Sequence, residues 1–133
     1  MSLVRDAMVS DPLQLAAAAS AQEAGRALAD PEVRAVLVCD GGRLVGVVTR
    51  KTLVREVVAA GRDPRDTTLG SIAEPPLYTL EGAEPLENAF RELEERDLER
   101  VPVTERGRLV GVLSRAAVQR RMFEDDAPEE PDL

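Results

Sequence analysis

Arg43-Leu44-Val45-Gly46-Val47-Val48-Thr49-Arg50 returns 65 positions later as Arg108-Leu109-Val110-Gly111-Val112-Leu113-Ser114-Arg115. In each copy an apolar, β-branched run ends on a hydroxyl residue, which suits a strand that passes into the N-cap of a helix. The same offset pairs Leu15 with Leu80, Ala24 with Ala89, Arg26 with Arg91 and Leu28 with Leu93, then Val36 with Val101 and Val38 with Val103. One ungapped register over that distance marks a duplicated supersecondary unit.

Each copy predicts strand, helix, strand, strand, helix. In the first, Leu13-Gln14-Leu15 is a short strand. Ser20 is a helix N-cap with Glu23 completing a capping box, and Ala21, Ala24, Ala27 and Leu28 supply the apolar stripe. Asp30-Pro31 ends that helix, because the residue before proline is pushed out of the α region. Ala35 to Cys39 and Leu44 to Val48 form a hairpin about Asp40-Gly41-Gly42, nearly continuous in apolar residues and so buried on both faces. A helix follows from about Arg50 to Ala60. In the second copy Tyr78-Thr79-Leu80 is the short strand and Pro85 the first helical residue. The hairpin then spans Arg100 to Thr104 and Leu109 to Leu113, and Ser114 opens a helix to about Met122.

Composition removes several classes of function. The formal charge is −8, but six acids and no base follow Phe123, so the rest of the chain carries only −2. With neither a basic stripe nor stacking aromatics, nucleic acid is a poor partner. The absence of histidine removes the commonest general base and metal ligand. Cys39 stands alone in an apolar run and reads as a small buried hydrophobe. No serine sits beside a candidate base, so an enzyme is not expected, nor a cofactor. No segment reaches the ~18 apolar residues of a membrane span, and the N-terminus has no secretory pattern. The expected location is the cytoplasm.

These features resemble the cystathionine-β-synthase-type (CBS) domain, here as a tandem pair or Bateman module. The likeness is carried by Val4-Arg5-Asp6-Ala7-Met8 with Asp11-Pro12 and by Arg100-Val101-Pro102-Val103. It is carried most strongly by Gly46-Val47-Val48-Thr49 with its copy Gly111-Val112-Leu113-Ser114. It covers about residues 3–122. The resemblance implies an α/β (α+β) fold, two β-α-β-β-α CBS repeats packed about a pseudo-twofold axis. The repeats then fall at 3–60 and 68–122, with a polar linker at 61–67 and an acidic, disordered tail at 123–133.

The resemblance also implies dimerisation through helices, and two clefts between the repeats that in many members take AMP, ATP or S-adenosylmethionine. The ligand-contacting residues it points to are Pro12, Gly46, Val47, Thr49, Arg50 and Thr52, with Arg100, Val101, Pro102, Gly111, Val112, Ser114 and Arg115. Gly46 and Gly111 would let a ligand approach the backbone. Thr49 and Ser114 would present hydroxyls where phosphate is favoured, with Arg50, Lys51 and Arg115 adding positive charge. Structural readings stand beside these: N-caps for the hydroxyls, close strand packing for the glycines, solvated charge for the arginines.

The chain departs from the family pattern at one point. Nucleotide-binding members usually carry an Asp three residues after the Thr or Ser, where it holds the ribose hydroxyls; here Thr52 and Ala117 stand there. A hydrogen bond to a charged group contributes about 1.5–3 kcal/mol, so its loss weakens binding roughly 10- to 150-fold. Two functions remain: a non-catalytic regulatory module for an adenosyl ligand, or a ligand-free dimerisation scaffold with vestigial sites. Leu53, Val54, Val57, Val58, Val118 and Met122 offer the apolar surface for a homodimer. A regulated protein, unidentified by sequence, completes the expected partners.

Overall fold

Both hairpins turn on backbone that ordinary side chains avoid. In a computed structural model, which describes residues 2–76 and 78–126, Gly41 and Gly42 have φ of +57° and +85°. These are the two positive values a type I′ turn requires, and its twist matches that of the flanking strands. In the second hairpin Arg106 and Gly107 take +55° and +80°. Only one of those two positions has glycine's freedom, so Arg106 carries strain of about 1–2 kcal/mol. The chain divides into two compact units: Pro12–Leu77 with Arg106–Leu109, and Met1–Asp11 with Tyr78–Glu105 and Val110–Leu133.

In the first unit β2 (Gln14–Ala16) runs parallel to β3 (Val36–Asp40), which pairs antiparallel with β4 (Arg43–Val48). Helix α2 (Ala21–Leu28) joins β2 to β3 and buries Ala21, Ala24 and Leu28. The Ser20 hydroxyl accepts from the Glu23 N–H at 3.2 Å, one half of the expected capping box. Val36, Val38, Val48 and Val57 complete this core with Leu69 and Ile72 of α4 (Leu69–Ile72). Burial pushes the Cys39 thiol up, as an inert structural cysteine requires. The linker is strapped down: the Thr67 hydroxyl donates to Asp63 O at 2.8 Å, and Gln22 N donates to Pro64 O at 3.0 Å.

The helix expected after β4 is present and changes type along its length. α3 (Arg50–Leu53) passes into a π-helical turn over Val54–Val58. There Ala59 N donates to Val54 O at 2.8 Å, a bond that spans five residues. Val54, Val57 and Val58 are β-branched and crowd a tight α turn, and a widened turn relieves that crowding.

In the second unit β5 (Leu80–Glu81) runs parallel to β6 (Arg100–Glu105), and β6 neighbours β7 (Arg108–Ser114). The short strand begins at Leu80 rather than Tyr78, whose ring instead carries the Arg96 guanidinium 4.3 Å from its centroid. Pro85 is the N-cap of α5 (Leu86–Glu95), one position earlier than expected. Leu86, Ala89 and Leu93 of that helix pack with Val101, Val103 and Leu113, Val118 of α6 (Arg115–Asp126), and Val4 of α1 (Val4–Ala7). Each fully buried leucine contributes about 1.5–3 kcal/mol. α6 continues past Met122 to Asp126. The expected disorder of the tail falls, for residues 127–133, outside the described residues.

Each unit therefore takes its opening helix from the stretch of chain that precedes the other repeat. Val4 and Leu69 are both fully buried and stand 65 residues apart, in the register of the duplication. Strand β1 (Val9–Ser10) pairs antiparallel with β7, and Glu74 forms the matching bridge to Val47. The expected dimer surface is smaller than proposed from sequence. Val57 and Val118 are buried, and Leu53 and Met122 pack on the cores of their own units. Only Val54 and Val58 of that set stay exposed, at 58% and 73%, with Phe123 at 78%.

Candidate functional site

The first strand-to-helix junction collects more polar groups than any cap needs. Thr49 has extended backbone, and its hydroxyl accepts from Thr52 N at 3.3 Å while Thr49 N donates to Thr52 Oγ1 at 3.0 Å. This reciprocal capping box leaves the two hydroxyls 3.1 Å apart. Thr52 is 1% exposed, and its hydroxyl donates onward to Glu74 Oε1 at 3.4 Å. Glu74 also pairs with Arg55, both side chains about half exposed, at 48% and 56%. The Glu74 backbone is bonded in both directions to Val47, with N···O distances of 2.8 and 3.0 Å. Val47, Thr49, Thr52, Arg55 and Glu74 are thus one cluster within the first unit.

The second junction repeats the frame without the chemistry. Ser114 Oγ accepts from Ala117 N at 3.1 Å. Val112 pairs with Val9, and neither Ala117 nor Val9 brings a polar side chain. Val9 is 65% exposed.

Both glycines admit protein rather than open space. A Cβ on Gly46 would stand 2.7 Å from Ala73 Cβ and 2.8 Å from Glu74 O. On Gly111 it would stand 2.6 Å from Met8 Sδ and 2.7 Å from Val9 O. Their sequence role, to let something approach the backbone closely, is filled on that face by the exchanged opening segments.

Arg50 and Arg115 are engaged with the ends of helices. Arg50 donates to Leu28 O at 2.5 Å and Asp30 O at 2.8 Å, at the C-terminus of α2. Arg115 donates to Leu93 O and Leu98 O, both at 3.1 Å, and to Asp97 Oδ1 at 3.2 Å, beyond α5. A cation here bonds carbonyls at a helix end and suits the helix dipole. The charge expected to face a phosphate is held by the preceding helix in both copies. Arg115→Met, which keeps the aliphatic stem, is therefore expected to lower stability by about 2 kcal/mol. It should reduce the urea midpoint without changing the slope.

The remaining sequence candidates fall in both units. Pro12 is half-buried in the first unit, after Asp11 at φ +51°. Arg100 is exposed at the start of β6, Pro102 is half-buried and Val101, 1% exposed, belongs to the core. Glu74 and Arg55 escaped the sequence reading. The offset sets Glu74 against Val9, so the repeat itself gave no signal, and only the exchange of segments brings the carboxylate to Thr52. Among the described residues no group of three or more His, Cys, Asp or Glu is placed to hold a metal ion.

Comparison with known proteins bears on this frame. The family model for the CBS domain matches residues 4–59 and again 69–124. Hypoxic response protein 1 of Mycobacterium tuberculosis is 30% identical over 102 residues, 76% of this chain and 71% of that protein. A crystal structure of Hypoxic Response Protein I with two coordinated zinc ions is 27% identical, with a TM-score of 0.76, over 91% of this chain and 99% of that one. A crystal structure of CBSX2 in complex with AMP is 25% identical, with a TM-score of 0.74, over 96% of this chain and 100% of that one.

Proposed function

The chain belongs to the CBS domain family, as a tandem pair, and from that premise we propose that it is a non-catalytic regulatory module for an adenosyl ligand of the AMP, ATP or S-adenosylmethionine class. The observation that carries this reading is the likeness to CBSX2 with AMP, which extends over 96% of the chain. The local chemistry supports it at the first junction, where two hydroxyls and a half-exposed carboxylate converge. Occupation of that junction would bias the packing of α3 and its π-helical turn, and so the surface offered to a regulated protein. The chain's lack of histidine, with its lone buried cysteine, supports a module that binds rather than catalyses. No helix among the described residues is long and apolar enough to cross a membrane, and we place the module's work in the cytoplasm.

Thermal melts with AMP, ADP, ATP and S-adenosylmethionine test this. A ligand at 100 times Kd adds about 2.7 kcal/mol, or about 8–13 °C for a chain of this size. Unmoved melts with all four would overturn the adenosyl reading.

A second reading, a ligand-free scaffold, draws on different observations. Arg50 and Arg115 cap helices, Ala117 offers no side-chain bond, and Val54, Val58 and Phe123 are exposed. In both readings a homodimer is expected through exposed apolar side chains. Light scattering should give twice the monomer mass at micromolar concentration, and a monomer mass would remove the dimer from either.

A further inference from the structure

Among the described residues Glu74 is the acid that hydrogen-bonds the Thr52 hydroxyl at the first junction, and its side chain is placed for exchange. Its partner Arg55 lies on the surface, at 56% exposure, and such exposed pairs hold weakly. Its other contact is the Thr52 hydroxyl at 3.4 Å, beside the Thr49 hydroxyl. An ionised carboxylate accepts hydrogen bonds at both oxygens. Two hydroxyls on adjacent carbons present two donors at matching spacing, which is why acidic residues recognise ribose in dinucleotide sites on an unrelated fold. The backbone of Glu74 is fixed by its two bonds to Val47, so the carboxylate acts from a held base and moves only at its side chain. The second unit has Val9 and Ala117 at the corresponding positions and cannot reproduce the arrangement.

Resting on the adenosyl reading above, we propose that Glu74 is a specificity-determining residue: its carboxylate accepts the ribose hydroxyls of the ligand at the first junction and gives up Arg55 to do so. The acceptor that Thr52 does not provide comes from the exchanged segment instead. The module then reads ribonucleotides against deoxyribonucleotides at one junction only.

The test is calorimetry of AMP and 2′-deoxy-AMP with the full chain and with Glu74→Gln. The isostere keeps the backbone bonds and the bulk of a half-exposed side chain, and an unchanged melt checks the fold. The parent should prefer AMP by roughly 10- to 100-fold. In Glu74→Gln the preference should fall to roughly threefold or less, through weaker AMP binding. Should Glu74→Gln unfold, Glu74→Asp, which keeps the charge and shortens the reach, is expected to lose at least half the preference on a logarithmic scale. AMP binding with the same preference in parent and variant, or with none in the parent, overturns the role of Glu74 and leaves the adenosyl reading standing. No binding of either nucleotide by either protein overturns both.

Discussion

Gly46→Ala is expected to destabilise the first unit by about 3–5 kcal/mol, with a fall in melting temperature of about 10–20 °C. The new Cβ would lie 2.7 Å from Ala73 Cβ and 2.8 Å from Glu74 O, where carbon atoms rest at about 3.5–4.0 Å. Neither neighbour is the free end of a flexible side chain. Relief requires the 69–76 segment to move as a body. That breaks the two backbone bonds between Val47 and Glu74 and draws Leu69 and Ile72 from the core, where they are 0% and 4% exposed. Gly41→Ala is the control. It has nothing within 4 Å of a new Cβ and only a φ of +57° to accommodate, at a cost of about 1–2 kcal/mol. Urea titration should separate the two clearly. Equal losses would mean that the exchanged segment does not press on Gly46. Gly111→Ala should fall between them, because the flexible Met8 side chain can turn aside while Val9 O cannot.

The elements that position this contact were legible to different degrees. The hairpins, their turns and the α2 cap follow from local rules: paired positive φ at Gly41-Gly42, a hydroxyl at Ser20, a helical apolar stripe ended by Asp-Pro. The duplication was legible because its residues recur in register. The exchange was not. Val4-Arg5-Asp6-Ala7 and Leu69-Gly70-Ser71-Ile72 are one-turn helices, too short for a periodic signal, and what holds them is a core reached from distant sequence. The π-helical turn was equally hidden, since a helix of either kind places Val57 inward. It does not place Val54 and Val58 inward, which is why a stripe that read as one apolar face divides into one buried and two exposed valines.

The site was legible in its frame and not in its charges. Thr49 and Ser114 stand at the caps their spacing predicts, and Thr52 is where the departure from the family pattern placed it. Arg50 and Arg115 read as free positive charge because sequence does not reveal which carbonyls lie within reach of a guanidinium. Their partners, Leu28 and Leu93, are themselves 65 residues apart, so the duplication repeats the capping role with the fold. A repeated residue is thus evidence of a repeated environment, and here that environment is a helix end. The unrepeated residues at the same junctions, Thr52, Arg55 and Glu74, are where the two units differ in what they can recognise.

That difference sets the expected behaviour of Thr52→Asp, a loss of about 3 kcal/mol at neutral pH. The new carboxylate keeps one native role, because it can accept from Thr49 N, and an acid in the first turn of a helix contributes about 0.3–1 kcal/mol. It loses the other, since it has no hydrogen for Glu74 Oε1, 3.4 Å from the present hydroxyl. Two carboxylates then meet at a position that is 1% exposed, and the half-exposed Arg55 offsets only part of a penalty that, uncompensated, costs about 3–5 kcal/mol. The pH dependence follows. Burial and the neighbouring acid raise the folded-state pKa of the introduced carboxyl above its unfolded value of about 3.9. The folded state therefore holds the proton more tightly than the unfolded one. The variant should approach the parent's stability below about pH 4 and fall away as pH rises through the folded pKa. Adding Glu74→Gln removes the opposing charge and supplies an amide donor, so the double variant should recover about 1.5–3 kcal/mol relative to additivity. Denaturant titrations of the four proteins at pH 4 and pH 7 measure that coupling. Additive losses at pH 7 would show that Thr52 and Glu74 do not meet in solution, and would take the carboxylate away from the junction altogether.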